Sequence, residues 1–198
     1  MILESIVTSI DTRGRVNIAP MGSTVDEDPT GVMEGSMIHL RPFETSQTYN
    51  NLLSTGKAVV HVTDDADLFA KAATDAIDAQ QVRKRIEQIG DTTWWRLVDC
   101  HRWFAVEVAE TRGDGPRFEM DCRVVLMGEV RPFFGFNRAK FAVIEAAILA
   151  TRTHLLTSEH IHSEMERLRP LIDKTGGAAE HGAFSYLEKT IDDRLSRR

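Results

Sequence analysis

Residues 16–22 read VNIAPMG, and residues 41–52 read RPFETSQTYNNL. The first stretch ends a predicted strand with small residues and an amide. The second leads into a predicted helix with hydroxyls, amides and one arginine. Hydroxyl groups and the free N–H groups of a helix start favour a phosphate, and small residues leave a backbone that a flat heterocycle can approach. Together the stretches favour a ligand that carries both a phosphate and a flat heterocycle. They do not show the residues typical of an acid–base hydrolase or a metal enzyme.

The composition is that of a globular protein without a strongly charged partner. The chain has 198 residues, of which 42% are hydrophobic, enough for one domain or a domain with an appendage. The net charge of −6 argues against nucleic acid as the main partner. No apolar run approaches the roughly 20 residues that span a bilayer, and Glu4 lies where a signal peptide has its basic and apolar regions. We therefore expect a cytoplasmic protein that binds neither nucleic acid nor a membrane.

Apolar and β-branched runs dominate the first two thirds of the chain. Residues 2–10 and 15–19 predict a hairpin around a turn that contains Gly14, and Pro20 and Gly22 are expected to end its second strand. Further strands are predicted at 37–40, 58–63, 103–108 and 118–130. Alternation of apolar and polar residues along 118–130 is typical of antiparallel sheets with one wet face. The pattern predicts an antiparallel barrel rather than a parallel sheet.

Helical patterns occur within the barrel region and dominate the last third. Ser46 is a good N-cap for a short helix that Gly56 ends. Further helices are predicted at 66–90 (with a polar loop or turn near 75–81), at 136–156, from a cap at Ser158, and around 184–195. The helix at 136–156 is apolar on most sides, so we expect it to be buried. The fold class is therefore mainly β with C-terminal α, with a barrel domain over 1–132 and a helical extension over 133–198.

The loop before the first helix is a candidate phosphate site. Thr45, Ser46 and Thr48 offer hydroxyl donors, and Arg41 supplies positive charge in a planar fork. The alternative is a plain helix cap with neighbouring turn residues.

The end of the first hairpin is a candidate site for a flat ring. Gly22 leaves its backbone bare, while Asn17 or main-chain amides can hydrogen bond the edge of a ring. The alternative is that Pro20 and Gly22 simply end a strand. Neither stretch is specific alone, and only their order and separation favour a binding site.

Two cations, Arg138 and Lys140, lie at the start of the long apolar helix. Positive charge is disfavoured at a helix N-terminus, so the pair suggests an anion nearby. The alternative is a solvated helix start. No metal site is predicted, because His160 and His162 point to different faces of their helix. Cys100 and Cys122 are expected to be buried thiols.

The combined stretches resemble the FMN-binding split-barrel proteins, the superfamily of flavin reductases and pyridoxamine-phosphate oxidases. The chain is similar almost end to end to the family known as domain of unknown function 447 (DUF447). The matching segments are 4–8, 14–22, 40–43, 48–52, 62–65 and 133–152.

This resemblance implies an antiparallel split barrel with a helical segment, assembled as a homodimer with the flavin site near the subunit interface. It implies that the isoalloxazine lies along Asn17, Ala19, Met21 and Gly22. The phosphate and ribityl lie at Arg41, Thr45, Ser46 and Thr48, with Asn51 close by and Arg138 or Lys140 as further candidates for the phosphate. His61 stands where the family pattern has asparagine, and is expected to hydrogen bond the ring or to crowd it.

The function implied is that of a flavoprotein, an FMN-dependent oxidoreductase of unknown substrate. A nicotinamide donor or a pterin-like small molecule is a possible reaction partner, and no catalytic side chain stands out because the flavin supplies the chemistry. The alternative is a non-catalytic flavin or ligand carrier, or a dimeric scaffold with a vacant site.

Overall fold

A computed structural model describes residues 1–26 and 31–198. The polar sequence DEDPTG at 26–31 predicts a loop, which lies largely outside the described residues. The described chain forms two compact units. The first comprises Met1–Thr63 and Asp78–Phe133, and the second comprises Asp64–Ile77 and Phe134–Arg198. Residues 64–77, from within the predicted barrel domain, thus belong with the C-terminal helices.

The elements follow one another in a simple order. The strands are β1 (Ile2–Ile10), β2 (Val16–Val25), β3 (Met37–Leu40), β4 (Lys57–Val62), β5 (Ile86–Gln88), β6 (Trp95–Leu97), β7 (Arg102–Arg112) and β8 (Glu119–Glu129). The helices are α1 (Gln47–Thr55), α2 (Ala66–Ala73), α3 (Ala79–Arg85), α4 (Arg138–Thr151), α5 (Ser158–Thr175) and α6 (Ala178–Leu195). Among the described residues, no helix is both long and apolar enough to cross a membrane.

Six of the strands close into an antiparallel barrel in the order β1-β2-β3-β8-β7-β4, as the alternating pattern predicts. Its interior is filled by alternate residues of each strand, among them Val7, Ile38, Val60, Phe104 and Val124. The two-stranded sheet β5-β6 hydrogen bonds to the outside of the barrel, where Thr8 Oγ1 donates to Trp95 O at 2.5 Å. The predicted fold class is confirmed.

Strand β2 does not end at Pro20, as the sequence predicted, but continues to Val25. Pro20 lies opposite Ile6 at a position whose nitrogen points away from β1. Its missing N–H therefore breaks no hydrogen bond of the ladder, which is where strands tolerate proline.

Three helix predictions also need correction. Residues 66–90 form two short helices and strand β5, because Asp78 caps a new helix after the polar stretch. The helix predicted at 136–156 covers only Arg138–Thr151, and Phe136 lies before it with 89% of its surface exposed. The N-cap of α5 is Thr157, whose hydroxyl accepts from His160 N, and Ser158 is the first helical residue.

The second unit is a helical cluster formed by α2, α4, α5 and α6. Alanines line its centre, with Ala139, Ala142 and Ala146 of α4 almost fully buried. Phe184 and Leu187 of α6 fill the space that these small side chains leave.

Candidate functional site

Strand β2 has one edge that no strand covers along most of its length. Val25 N donates to Met1 O at 2.9 Å. With the register between β1 and β2, this means that the N–H and C=O groups of the odd-numbered residues of β2 point towards β1. On the other side, β3 pairs with β2 only at positions 24 and 25, and no further strand in the described ranges pairs there. The peptide groups on this side form what we call the open edge, and they belong to Ile18, Pro20 and Gly22.

Gly22 is the exposed end of the open edge. Its φ lies outside the left-handed region, so the backbone conformation does not require glycine. A Cβ at this position would lie 3.0 Å from Ile2 Cγ2, closer than an ordinary contact, although the Ile2 side chain is 65% exposed. Glycine avoids this contact, and it also leaves an amide that a ligand can approach closely.

The start of helix α1 presents unpaired N–H groups. Ser46 is the N-cap, and its Oγ accepts from Tyr49 N at 3.1 Å. The helix itself leaves the N–H groups of Gln47 and Thr48 unpaired, and its first turn contains no acidic residue. The hydroxyl hydrogen of Ser46 remains available to an acceptor, because the cap uses only the oxygen.

One hydrogen bond connects the two sequence stretches. Asn17 Nδ2, on β2, donates to Thr48 Oγ1, on α1, at 3.1 Å. Thr48 is only 1% exposed, so its side chain anchors the helix start rather than covering an exposed site. Asn51 is equally buried, and its Nδ2 donates to Ser9 Oγ at 2.9 Å. The two polar bridges place the helix start beside the Asn17 end of β2.

The loop between β3 and α1 is held by the segment that leads into β8. Glu44 N donates to Pro116 O at 3.1 Å, and the Arg117 guanidinium lies 3.9 Å from the centre of the Phe43 ring. Thr45 is exposed, and Arg41 has a side chain that is 56% exposed, with its Nε 3.5 Å from Glu119 Oε1. Arg117 could not be identified from the sequence, because only the antiparallel pairing of distant segments brings it to this loop.

Ala19 and Met21 face a different direction from the open edge. Their peptide groups pair with β1, and the half-buried Met21 side chain packs against the barrel core. Met21 O also accepts from Ser5 Oγ at 2.7 Å. The neighbours Ile18, Pro20 and Gly22, rather than Ala19 and Met21, therefore offer main-chain groups at this edge.

His61 has a structural role in place of the ligand contact that the sequence suggested. It is fully buried, and both ring nitrogens have main-chain partners. Nε2 accepts from Leu97 N at 3.0 Å, so Nδ1 carries the hydrogen and donates to Ile6 O at 2.9 Å. Burial lowers the pKa of His61 to about 4, which keeps the ring neutral. Both ring nitrogens are therefore occupied, and the buried ring offers no free nitrogen to a cofactor.

The two cations at the start of α4 differ in their surroundings. Lys140 Nζ lies 3.1 Å from Asp64 Oδ2 and 3.3 Å from Glu180 Oε1, so its charge is already balanced within the second unit. Asn137 caps the helix by accepting from Ala139 N at 2.8 Å. Arg138 is exposed. These contacts favour the interpretation of this segment as a capped helix start.

In the part of the chain that the structure describes, no group of three or more histidines, cysteines or carboxylates is placed to hold a metal ion. Cys100 and Cys122 are buried free thiols, as predicted.

Solved structures share this fold. The FMN-bound protein MM1853 from Methanosarcina mazei, of the DUF447 family, gives a TM-score of 0.77 at 24% identity, over 96% of this chain and 94% of that one. Flavoredoxin from Methanosarcina acetivorans gives 0.52 at 11% identity, over 67% of this chain and 74% of that one. Nitrilotriacetate monooxygenase component B from Mycobacterium thermoresistibile gives 0.51 at 11% identity, over 66% and 70%. At these identities the similarity shows the fold, that of the flavin split-barrel proteins.

Comparison with curated proteins gives no match. Two family models, the N-terminal domain and the following part of "Protein of unknown function (DUF447)", match residues 3–131 and 137–189. Because these matches cover most of the sequence, the chain belongs to the DUF447 family.

Proposed function

We propose that this protein binds FMN, with the ring against the open edge and the phosphate at the start of α1, and that it acts as a flavin-dependent oxidoreductase. The observation that carries the proposal is the hydrogen bond from Asn17 to Thr48, which places the open edge and the helix start side by side. The FMN-bound family member from Methanosarcina mazei supports FMN as the ligand.

The open edge suits the pyrimidine side of an isoalloxazine. That side of the ring alternates hydrogen-bond acceptors with one N–H donor. The open edge offers partners of both kinds, with Gly22 N–H as donor and the neighbouring Pro20 C=O as acceptor. The absence of a side chain at Gly22 lets the ring come close to the backbone.

The helix start suits the phosphate. Hydrogen bonds to a phosphate are charge-assisted, and three kinds of donor meet here: the Ser46 hydroxyl, the exposed Thr45 hydroxyl and the first N–H groups of α1. Gly22 lies five residues along β2 from Asn17, a distance of about 17 Å at strand spacing. An extended ribityl phosphate with its ring spans a comparable length.

Arg41 lies at the Gly22 end of this surface. If the pairing of Thr24 with His39 continued, Arg41 would stand opposite Gly22. The strand geometry therefore favours a role for Arg41 near the ring rather than among the phosphate donors. Bound FMN would supply two-electron chemistry, while the protein would bind it, orient it and exclude water. A nicotinamide or a pterin-like molecule is the proposed reaction partner, and a homodimer with the site near its interface is the proposed assembly.

The direct test is a titration of the purified protein with FMN and with riboflavin, followed by quenching of flavin fluorescence. FMN should bind, and riboflavin, which lacks the phosphate, should bind at least tenfold more weakly, a loss of about 1.4 kcal/mol. A protein that binds neither flavin contradicts the proposal. Anaerobic addition of NADH or NADPH then tests oxidoreductase activity through bleaching at about 450 nm. If FMN binds but neither NADH nor NADPH bleaches it, the protein is better explained as a flavin carrier or as an oxidoreductase with another electron donor.

A further inference from the structure

A chain of charged hydrogen bonds crosses the outer face of β3, β8 and β7. His39 Nδ1 lies 2.6 Å from Asp121 Oδ1, and Asp121 Oδ2 lies 2.7 Å from Arg112 Nη2. Arg112 Nη1 in turn lies 2.9 Å from Glu110 Oε2. The Asp121 side chain is only 14% exposed, whereas His39 is 36% exposed. The arrangement fixes a carboxylate against one ring nitrogen and leaves the other towards solvent.

This contact determines which nitrogen of His39 carries the hydrogen. The hydrogen bond from His39, helped by Arg112, lowers the pKa of Asp121, so that this carboxylate is ionised and only accepts. Nδ1 must therefore donate to it, and in the neutral ring Nε2 holds a lone pair. Among the described residues, none forms a hydrogen bond with Nε2. His39 thus presents a free proton acceptor, and the Asp121 carboxylate would balance the charge of the protonated ring.

The position of His39 connects this chain of hydrogen bonds to the open edge. His39 is paired with Thr24, the last position at which β3 covers β2. Residues of β2 that are two positions apart share a face, so Gly22 lies on the same outer face as Thr24 and His39. Diagonal neighbours in an antiparallel pair are about 7–8 Å apart. The His39 ring therefore lies next to the point where the proposed flavin ring meets Gly22.

We infer that His39 is a proton-transfer residue of this site: its Nε2 takes up one proton when the bound flavin is reduced and releases it on reoxidation. The inference rests on the proposed function. In reduction by a nicotinamide, the C–H bond of the donor breaks and its electron pair and hydrogen pass to the flavin as hydride. The N–H bond at Nε2 forms with a proton from solvent. Two electrons and two hydrogens are then accounted for, and Asp121 balances the imidazolium.

Other charged groups of both signs lie on this face near His39. Those nearest in register are Arg41 on the extension of β3, Glu119 and Arg123 on β8, and Glu110 and Arg112 on β7. Thr24, the neighbour on β2, is uncharged. Cations and carboxylates are interspersed on this face, and Asp121 is the charged group that hydrogen bonds directly to the His39 ring.

The test is the pH dependence of the reduction potential of the FMN-loaded protein, measured by spectroelectrochemistry between about pH 7 and about pH 8.5. Two protons per two electrons give a slope of about 59 mV per pH unit, and one proton gives about 30 mV. We expect the steeper slope for the wild type and the shallower one for His39→Gln. His160→Gln, which changes an exposed histidine of the helical unit, is the matched control and should keep the steeper slope. Equal slopes in the wild type and His39→Gln overturn the inference.

Asp121→Asn provides a second, independent readout. In the ligand-free protein, the nitrogen NMR signals of His39 should show hydrogen on Nδ1 in the wild type and a loss of that preference in Asp121→Asn. An unchanged tautomer overturns the positioning role of Asp121. FMN affinity separates the two hypotheses. His39→Gln should bind FMN within about threefold of the wild type, whereas failure of the wild type to bind FMN refutes the proposed function itself.

Discussion

His61 makes the folded protein sensitive to acid in a defined pH range. Burial, opposed by the hydrogen bond to Ile6, lowers the pKa of this histidine from 6.5 to about 4. In the unfolded chain the ring takes up its proton at the ordinary value, so between these two values the unfolded state binds more protons. The free energy of unfolding therefore falls as the pH drops from 6.5 to 4. The contribution of neutral His61 to the free energy of unfolding is fully present above pH 6.5. About 3 kcal/mol of it is lost by pH 4.

The measurement compares urea unfolding of the wild type and His61→Gln from about pH 7.5 to about pH 4.5. Glutamine stays uncharged, and it leaves at least one of the two main-chain partners unpaired, which costs about 1–3 kcal/mol at neutral pH. The advantage of the wild type over the variant should shrink by up to about 3 kcal/mol as the pH falls. His160→Gln should show no such change. A difference between wild type and His61→Gln that stays constant over this range would refute the structural role of His61.

Three further predictions concern the phosphate site, the helical unit and the thiols. Ser46→Ala with Thr45→Ala should weaken FMN binding by about 1–3 kcal/mol, measured by titration, and unchanged affinity would remove the helix start from the site. Lys140→Ala should lower the free energy of unfolding by about 1–3 kcal/mol in urea, because it removes the cation that Asp64 and Glu180 both contact. FMN affinity should stay the same, and weaker binding would instead support a contact between Lys140 and the phosphate. Burial raises the pKa of Cys100 to about 11 and of Cys122 to about 12. A thiol reagent at about pH 8 should therefore label both cysteines only after unfolding, and rapid labelling of the folded protein would contradict this prediction.

The barrel was predictable because its pattern is local. Alternation along β8 and the turn around Gly14 read directly as antiparallel strands. The continuation of β2 through Pro20 was not predictable from the sequence, because proline ends most strands. Only the pairing with β1 shows that the nitrogen of Pro20 faces away from that strand. The assignment of residues 64–77 to the helical unit also depends on packing that no short window contains.

The site was predictable in part, because some of its residues lie in short stretches whose pattern is local. The two stretches that hold Asn17 and Thr48 were identified together, and the structure joins them by a hydrogen bond. The contacts of His61 could not be read from sequence, because both of its partners are main-chain groups of distant strands. His39 and Asp121 are 82 residues apart and meet only through the register of β3 with β8.

The most direct test of the account asks whether the open edge of β2 holds the ligand. The protein contains 13 glycines, so glycine-selective nitrogen labelling gives a simple NMR spectrum in which the Gly22 amide can be followed during addition of FMN. We predict that the Gly22 signal shifts and that its amide hydrogen becomes protected from exchange with solvent. Saturating FMN that leaves the Gly22 amide unshifted and unprotected would contradict the account.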